Sequence, residues 1–165
     1  MTTEDLNRRR LDALVRHVTN VKQNCELLGE RLIDKGEVDF GRHLIANGFI
    51  HDNSKFTGIE WQFLHQDVME SNLSEFKLAV SQHTKTNRHH PEFWLHINDM
   101  PRIYVAELVC DITARSQEFG DNVKDWLDDK GISKYQITKN TKKYKEINDF
   151  LKILLEKPFQ TVPVR

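Results

Sequence analysis

Apolar residues in the first part of the chain recur at intervals of three and four. Leu11, Leu14, Val18, Val21, Cys25, Leu28 and Leu32 line one stripe of a helix expected from about Glu4 to Lys35. Gly36 is a stop signal just past its end. His17 falls three residues after Leu14 and four before Val21, so it lies beside the buried stripe. A second helix is expected from about Phe40 to His51, with Asp39 as N-cap and Phe40, Leu44, Phe49 and Ile50 as apolar surface. Asn53-Ser54 is turn chemistry, which leaves His51-Asp52 at that helix end.

Thr57-Gly58-Ile59-Glu60 has capping-box form and starts a third helix carrying Trp61, Phe63, Leu64 and Val68. A fourth helix spans about Ser74 to Lys85, with Phe76, Val80 and His83 in phase. Thr86 to Pro91 reads as a polar loop that cannot continue a helix, followed by a short turn at Glu92 to His96. Asp99 is the expected cap of a fifth helix, Met100 to about Glu118, with Pro101 in its first turn and Gly120 as its stop. Ile103, Ala106, Cys110 and Thr113 form its apolar edge. A short helix around Asn122 to Asp129 follows. A last amphipathic helix around Thr141 to Lys157 carries Tyr144, Ile147, Leu151, Leu154 and Leu155, stopped by Pro158. Strand patterning reduces to a hint at Tyr135-Gln136-Ile137. The pattern predicts an all-α, single-domain bundle of about six to seven helices over residues 1–165.

Composition narrows the picture. A chain of 165 residues fits one core. Cys25 and Cys110 sit inside apolar helical patterns and read as buried thiols of a reducing, cytoplasmic compartment. The opening MTTEDLNRRR is polar and charged, so no leader is expected, and no apolar run is long enough to span a bilayer. A net charge of -1 gives no pull toward membrane or nucleic acid. The basic cluster Lys139, Lys142, Lys143 and Lys145 reads as a solvated helix face. A homo-oligomer stays open, because the last helix serves either as a dimer face or as a layer on the core.

The candidate chemistry lies in eight histidines, three of them between positions 83 and 90. His51-Asp52 offers a nitrogen and a carboxylate at one turn of backbone. His17, His83, His89, His90 and Asp111 come from other elements, and bundles build metal sites from such ligands on facing helices. Asp111 is the strongest single sign, since a carboxylate within an apolar helix is costly unless paired or metal-bound. Imidazole and carboxylate donors suit one or two divalent ions of Mn, Fe, Co, Ni or Zn. His43 competes with His17 as first ligand. It lies eight residues before His51 on one short helix, about 80° away around the axis, so the two do not converge easily. His65 and His96 read as surface or packing residues.

With this spacing the sequence resembles the HD-domain superfamily of metal-dependent phosphohydrolases, all-helical domains marked by the order H…HD…D. The matching residues are His17, His51-Asp52 and Asp111, covering about residues 10–120. It is also similar to a branch of small HD-like proteins, through His51-Asp52-Asn53-Ser54-Lys55 and His83…His89-His90-Pro91-Glu92. The resemblance implies that His17, His51, Asp52 and Asp111 bind one metal, with Asp52 able to bridge to a second. It makes His83 and one of His89 and His90 candidates for that second ion. Here His90 is assigned to the metal, and His89 to the chemistry and to substrate contact. These histidines stand closer in sequence than in well-known two-metal members. That departure leaves open that His83 or the His89-His90 pair contacts substrate phosphate instead.

Lys55, three residues after Asp52, is assigned to catalysis and phosphate contact, against the reading of a solvated lysine. Arg115 either binds phosphate or pairs with Asp111 or Glu118. Glu107 is a candidate acceptor orienting a ligand histidine. Trp61, Phe93 and Tyr104 read as core, and Trp94 is the aromatic to test for nucleobase stacking. The expected function is metal-dependent hydrolysis of a small phosphorylated molecule, a nucleotide or deoxynucleotide. The alternatives are an HD-fold di-iron oxygenase and a non-catalytic helical binding module with a residual metal site.

Overall fold

A computed structural model of the protein describes residues 2–156. Helix α1 (Thr3–Asp34) opens with a reciprocal cap. The Thr2 hydroxyl accepts the Asp5 N–H at 3.1 Å, and the Asp5 carboxylate accepts the Thr2 N–H at 3.0 Å. Helix α2 (Val38–Ile50) returns antiparallel to it. Two glycines set how closely they approach. A Cβ on Gly41 would lie 2.4 Å from the Gly29 carbonyl oxygen, and one on Gly48 would lie 2.6 Å from Cys25 Cβ. The backbones therefore pack almost in contact, which carries the end of α2, with His51, alongside His17 of α1.

The chain then leaves this pair through a 3-10 turn (Asn53–Phe56), α3 (Gly58–Phe63), α4 (Gln66–Ser71) and α5 (Leu73–Thr86). A 3-10 turn at Pro91–Phe93 and another at Ile97–Asp99 lead into α6 (Arg102–Phe119). A short α7 (Val123–Trp126) passes through a π-helical turn (Leu127–Gly131) into α8 (Ile132–Lys134). Helix α9 (Lys142–Leu154) closes the chain. Helices α1, α2, α6 and α9 form one bundle around a core of Val21, Leu28, Leu32, Leu44, Leu108, Ile147, Phe150 and Leu151. The excursion α3–α5 packs mainly on itself and stands beside the bundle.

The all-α, single-domain bundle is as the pattern predicts, and among the described residues there is no strand. The details differ in instructive ways. Leu64–His65 breaks the expected third helix in two, with Asp67 of α4 paired to Arg10 of α1. Glu60 forms no capping box, because its carboxylate is buried and bonds elsewhere. Helix α2 starts at Val38, so Asp39 lies in its first turn, and Glu37 before it pairs with Arg102. Asp99 ends a 3-10 turn, and Pro101 takes the N-cap position of α6. That helix buries nearly its whole circumference from Val105 to Ala114, instead of one edge, because α1, α2 and α9 all contact it.

Phe49 and Ile50, expected as apolar surface of α2, are 56% and 65% exposed. Lys143 departs from the solvated face read for its cluster. It is buried, and its ammonium donates to the Met100 carbonyl at 2.7 Å and to Glu146 at 2.8 Å. Tyr135 and Ile137 are buried, but in an irregular segment with Gln136 at φ 51°. The last helix is a layer on the core, its carbonyl end held by Arg31, which donates to Ile153 and Leu154 at 2.7 Å. Leu155 lies past its end and is 43% exposed, and Pro158 falls outside the described residues. Cys25 and Cys110 are free and buried. No helix among the described residues is long and apolar enough to cross a membrane.

Candidate metal centre

Asp52 is where the chain turns from α2 toward α3. Its backbone is left-handed, with φ 56° and ψ 19°, a conformation that Asp and Asn tolerate better than most residues. The kink drives the carboxylate inward, where it is 1% exposed, at the junction of bundle and excursion.

Side chains converge on it in two groups, one per oxygen. Asp52 Oδ2 faces His17 Nε2 at 3.3 Å and His51 Nε2 at 3.4 Å, and His17 Nε2 lies 3.2 Å from Asp111 Oδ1. Asp52 Oδ1 faces His83 Nε2 at 3.3 Å and His89 Nε2 at 3.5 Å, and His83 Nε2 lies 2.9 Å from His90 Nε2. Two ligands about 2.1 Å from one ion stand roughly 3.0–3.4 Å apart at right-angled or tetrahedral geometry. The donors have that spacing.

The far sides of the rings explain their aim. Glu118 sits 3.0 Å from His17 Nδ1, Glu107 3.0 Å from His51 Nδ1 and 3.3 Å from His89 Nδ1, and Glu60 2.8 Å from His83 Nδ1. A carboxylate at Nδ1 fixes the proton there and turns the Nε2 lone pair inward, an arrangement typical of metal-ligating histidines. Glu107 also accepts the Asn47 amide at 3.0 Å, so it is held on both oxygens. Glu107, Asp111 and Glu118 are spaced by four and seven along α6, one stripe of the helix.

The inner atoms make ion-pair contacts, Lys55 with Asp52 Oδ2 among them, but lack hydrogen bonds. His17 Nε2, His51 Nε2, His89 Nε2 and both oxygens of Asp52 are buried and make no hydrogen bond. Buried polar atoms in folded proteins are nearly always satisfied, so five together point to a missing partner. The donors form three overlapping groups able to hold an ion: Asp52, His83, His89 and His90; His17, His51 and Asp111; and His51, His89 and Glu107. All are nitrogen or carboxylate ligands, a set that suits the mid-row divalent ions.

Electrostatics agree with a cation site. Burial opposes charge on His17 and His51, yet contacts with Asp111, Asp52 and their Glu partners raise the rings to about 9 and about 10 respectively. Asp52 and Asp111 are held well below the usual carboxylate range despite burial, Asp52 chiefly by Lys55 and His51, Asp111 by His17 and His51. Burial, with Lys55 or His89 nearby, pushes His83 down to about 2 and His90 to about 3. The potential that protonates His17 and His51 is the same one that attracts a metal cation. An ion entering there must displace those protons. Its apparent affinity is therefore expected to rise with pH from 6.5 toward 9, by up to about tenfold per pH unit for each proton released. Chelator competition across that range measures it, and a flat profile would contradict the protonation scheme.

A cavity of about 700 Å³ opens onto this centre. His17, Lys55, Glu60, His83, His90 and Asp111 reach its wall, whereas His51, Asp52 and His89 lie deeper. The placement separates His89 from His90. His89, assigned to substrate contact, is 3% exposed and sits behind the others, while His90 faces the cavity. Lys55 is not a solvated lysine: its ammonium lies 2.5 Å from Asp52 Oδ2. Arg115 lines the cavity and donates to Glu118 at 3.1 Å, the pairing named for it above.

His43 is exposed on α2, away from the centre, and His96 is exposed as well. His65 packs edge-on to Trp61. Trp94 donates its indole N–H to the Arg88 carbonyl at 2.9 Å and does not line the cavity, whereas Trp126 does. Sequence reasoning missed Glu60 and Glu118 as partners of ring nitrogens. Glu118 had a signal in its helical phase with Glu107 and Asp111. Glu60 had none, because its sequence context matched a helix cap.

A family model described as a family of unknown function (DUF5662) matches residues 7–159, and the chain belongs to that family. No curated protein and no solved structure matches it.

Proposed function

We propose that this chain, as a member of the DUF5662 family, is a metal-dependent phosphohydrolase acting on a small phosphorylated substrate, a nucleotide or deoxynucleotide. The observation that supports the reading is the set of five buried donor atoms without a hydrogen bond, beneath a cavity whose wall also presents Lys55 and Arg115. His17, His51, Asp52 and Asp111 would hold one divalent ion, and His83, His89 and His90 with the other Asp52 oxygen a second. Such an ion, when bound, lowers the pKa of its water and neutralises charge on a phosphoryl oxygen.

The rest follows from the chain's own residues. The ammonium of Lys55 lies between the buried cluster and the cavity, placed to take a phosphate oxygen as a point charge. Arg115 adds a second cation at the wall, held in orientation by Glu118. The His90 ring, kept neutral by burial, keeps its lone pair free for the centre. Glu60, Glu107 and Glu118 hold the rings rigidly, so little reorganisation accompanies the reaction.

Phosphate release from a panel of nucleotides and phosphoesters, with Mn or Co added to the full chain, is expected to be metal-stimulated and abolished by chelator. A metal-loaded protein that releases phosphate from none of them would sink the reaction. Oxygen consumption by the iron-loaded form would favour the oxygenase chemistry over hydrolysis, on the same ligands.

A further inference from the structure

The cavity has a second wall that the metal centre does not use. It is supplied by residues after α6, outside the helices that bear the ligands. Trp126, Lys134 and Tyr135 stand on it, and Phe119, 74% exposed, stands at the same cavity. Trp126 and Lys134 flank the π-helical turn Leu127–Gly131. Residues eight apart in an unbroken α-helix are about 80° out of phase. The extra residue of a π turn removes most of that offset, and such turns recur at functional sites. Lys134 Nζ accordingly lies 6.0 Å from the centroid of the Trp126 ring and 5.1 Å from that of Tyr135.

The Trp126 ring is fixed in place. A Cβ on Gly131 would be 2.9 Å from Trp126 Cζ3, so the absence of a side chain there lets the indole lie against the backbone of the π turn. Tyr135 braces it edge-on, with ring centroids 6.1 Å apart and planes at 61°. The indole is half-buried. A large, rigid aromatic surface on a cavity wall, braced from behind and accompanied by a cation, is a stacking platform.

We infer that Trp126 is a specificity-determining residue that stacks on a flat aromatic ring of the substrate, the nucleobase of a nucleotide or deoxynucleotide. The inference rests on the phosphohydrolase reading only for the place of the phosphate, beside Lys55. The ring is held by its face, and different bases are accepted with similar affinity.

The test compares two ligands with the full chain: deoxyadenosine monophosphate, which carries a ring, and ribose 5-phosphate, which does not. Binding is read by tryptophan fluorescence and by calorimetry. Trp126→Ala is expected to weaken deoxyadenosine monophosphate by about five- to a hundredfold, the range for losing one base–aromatic stack, and to leave ribose 5-phosphate unchanged. Trp126→Phe restores most of the affinity, and Gly131→Ala, which crowds the indole, weakens the nucleotide alone. Equal weakening of both ligands, no weakening of the nucleotide, or no nucleotide binding by the unaltered chain overturns the inference. If the nucleotide quenches Trp126 but metal-loaded protein releases no phosphate, the stacking site stands and the hydrolase reading falls.

Discussion

Asp52→Asn is expected to empty the metal centre and reduce any metal-stimulated turnover by at least about 10³-fold, with the helical far-UV signal retained. Asparagine is the informative substitution because residue 52 is left-handed, with φ 56°. Asparagine tolerates that conformation, whereas alanine would add backbone strain of about 1–2 kcal/mol unrelated to the chemistry. The change removes the charge whose two oxygens face the inner nitrogens of both donor groups, Oδ2 toward His17 and His51 and Oδ1 toward His83 and His89. It also leaves Lys55 and the protonated His17 and His51 without their shared counter-ion. Metal analysis of the purified variant checks this. Metal content equal to that of the unaltered chain would show that the ions sit elsewhere.

The second large effect is expected at Glu107, which does not line the cavity over the centre. Its carboxylate lies against Nδ1 of both His51 and His89, one from each donor group. Glu107→Gln removes the charge that lies behind both rings and sets an amide where Asn47 now donates. Removing a carboxylate behind one metal-ligating histidine typically costs about 10–100-fold in metal affinity. Glu107 serves two, so a loss of about 10² or more is expected, spread over both ions. Glu118→Gln and Glu60→Gln act on one ring each, His17 and His83, and are expected to weaken one ion apiece. Competition titrations that found Glu107→Gln no worse than either single-ring variant would contradict the shared-partner geometry.

Much of this was legible before the structure, and the reasons differ by residue. The long α1 stripe and the stops at Gly36 and Gly120 follow from local periodicity and caps, which need no tertiary information. His17, His83 and Asp111 stand out because they interrupt apolar patterns where bland side chains would pack better, and His51-Asp52 because two donors adjoin at a helix end. The division of the site was not legible. Which oxygen of Asp52 faces which ring depends on the left-handed turn at residue 52, set by how the excursion α3–α5 leaves the bundle. The separation of His89 from His90 has the same origin, since a polar loop gives no period from which to read side-chain direction. Glu60 was hidden by a competing local meaning, as its spacing from Thr57 matches a cap although its carboxylate serves His83. Lys143 was read as solvated because a basic cluster looks uniform in sequence, yet one of its members turns inward to the Met100 carbonyl. Trp126 went unnoticed because the π turn that aims it has no sequence signature.

The central claim is a two-ion centre bridged by Asp52, and anomalous diffraction from crystals of the manganese-loaded chain tests it most directly. The account predicts two peaks about 3.5–4 Å apart, one on each side of the Asp52 carboxylate. One lies among His17, His51 and Asp111, and the other among His83, His89 and His90. A single peak, or none between these residues, would contradict it.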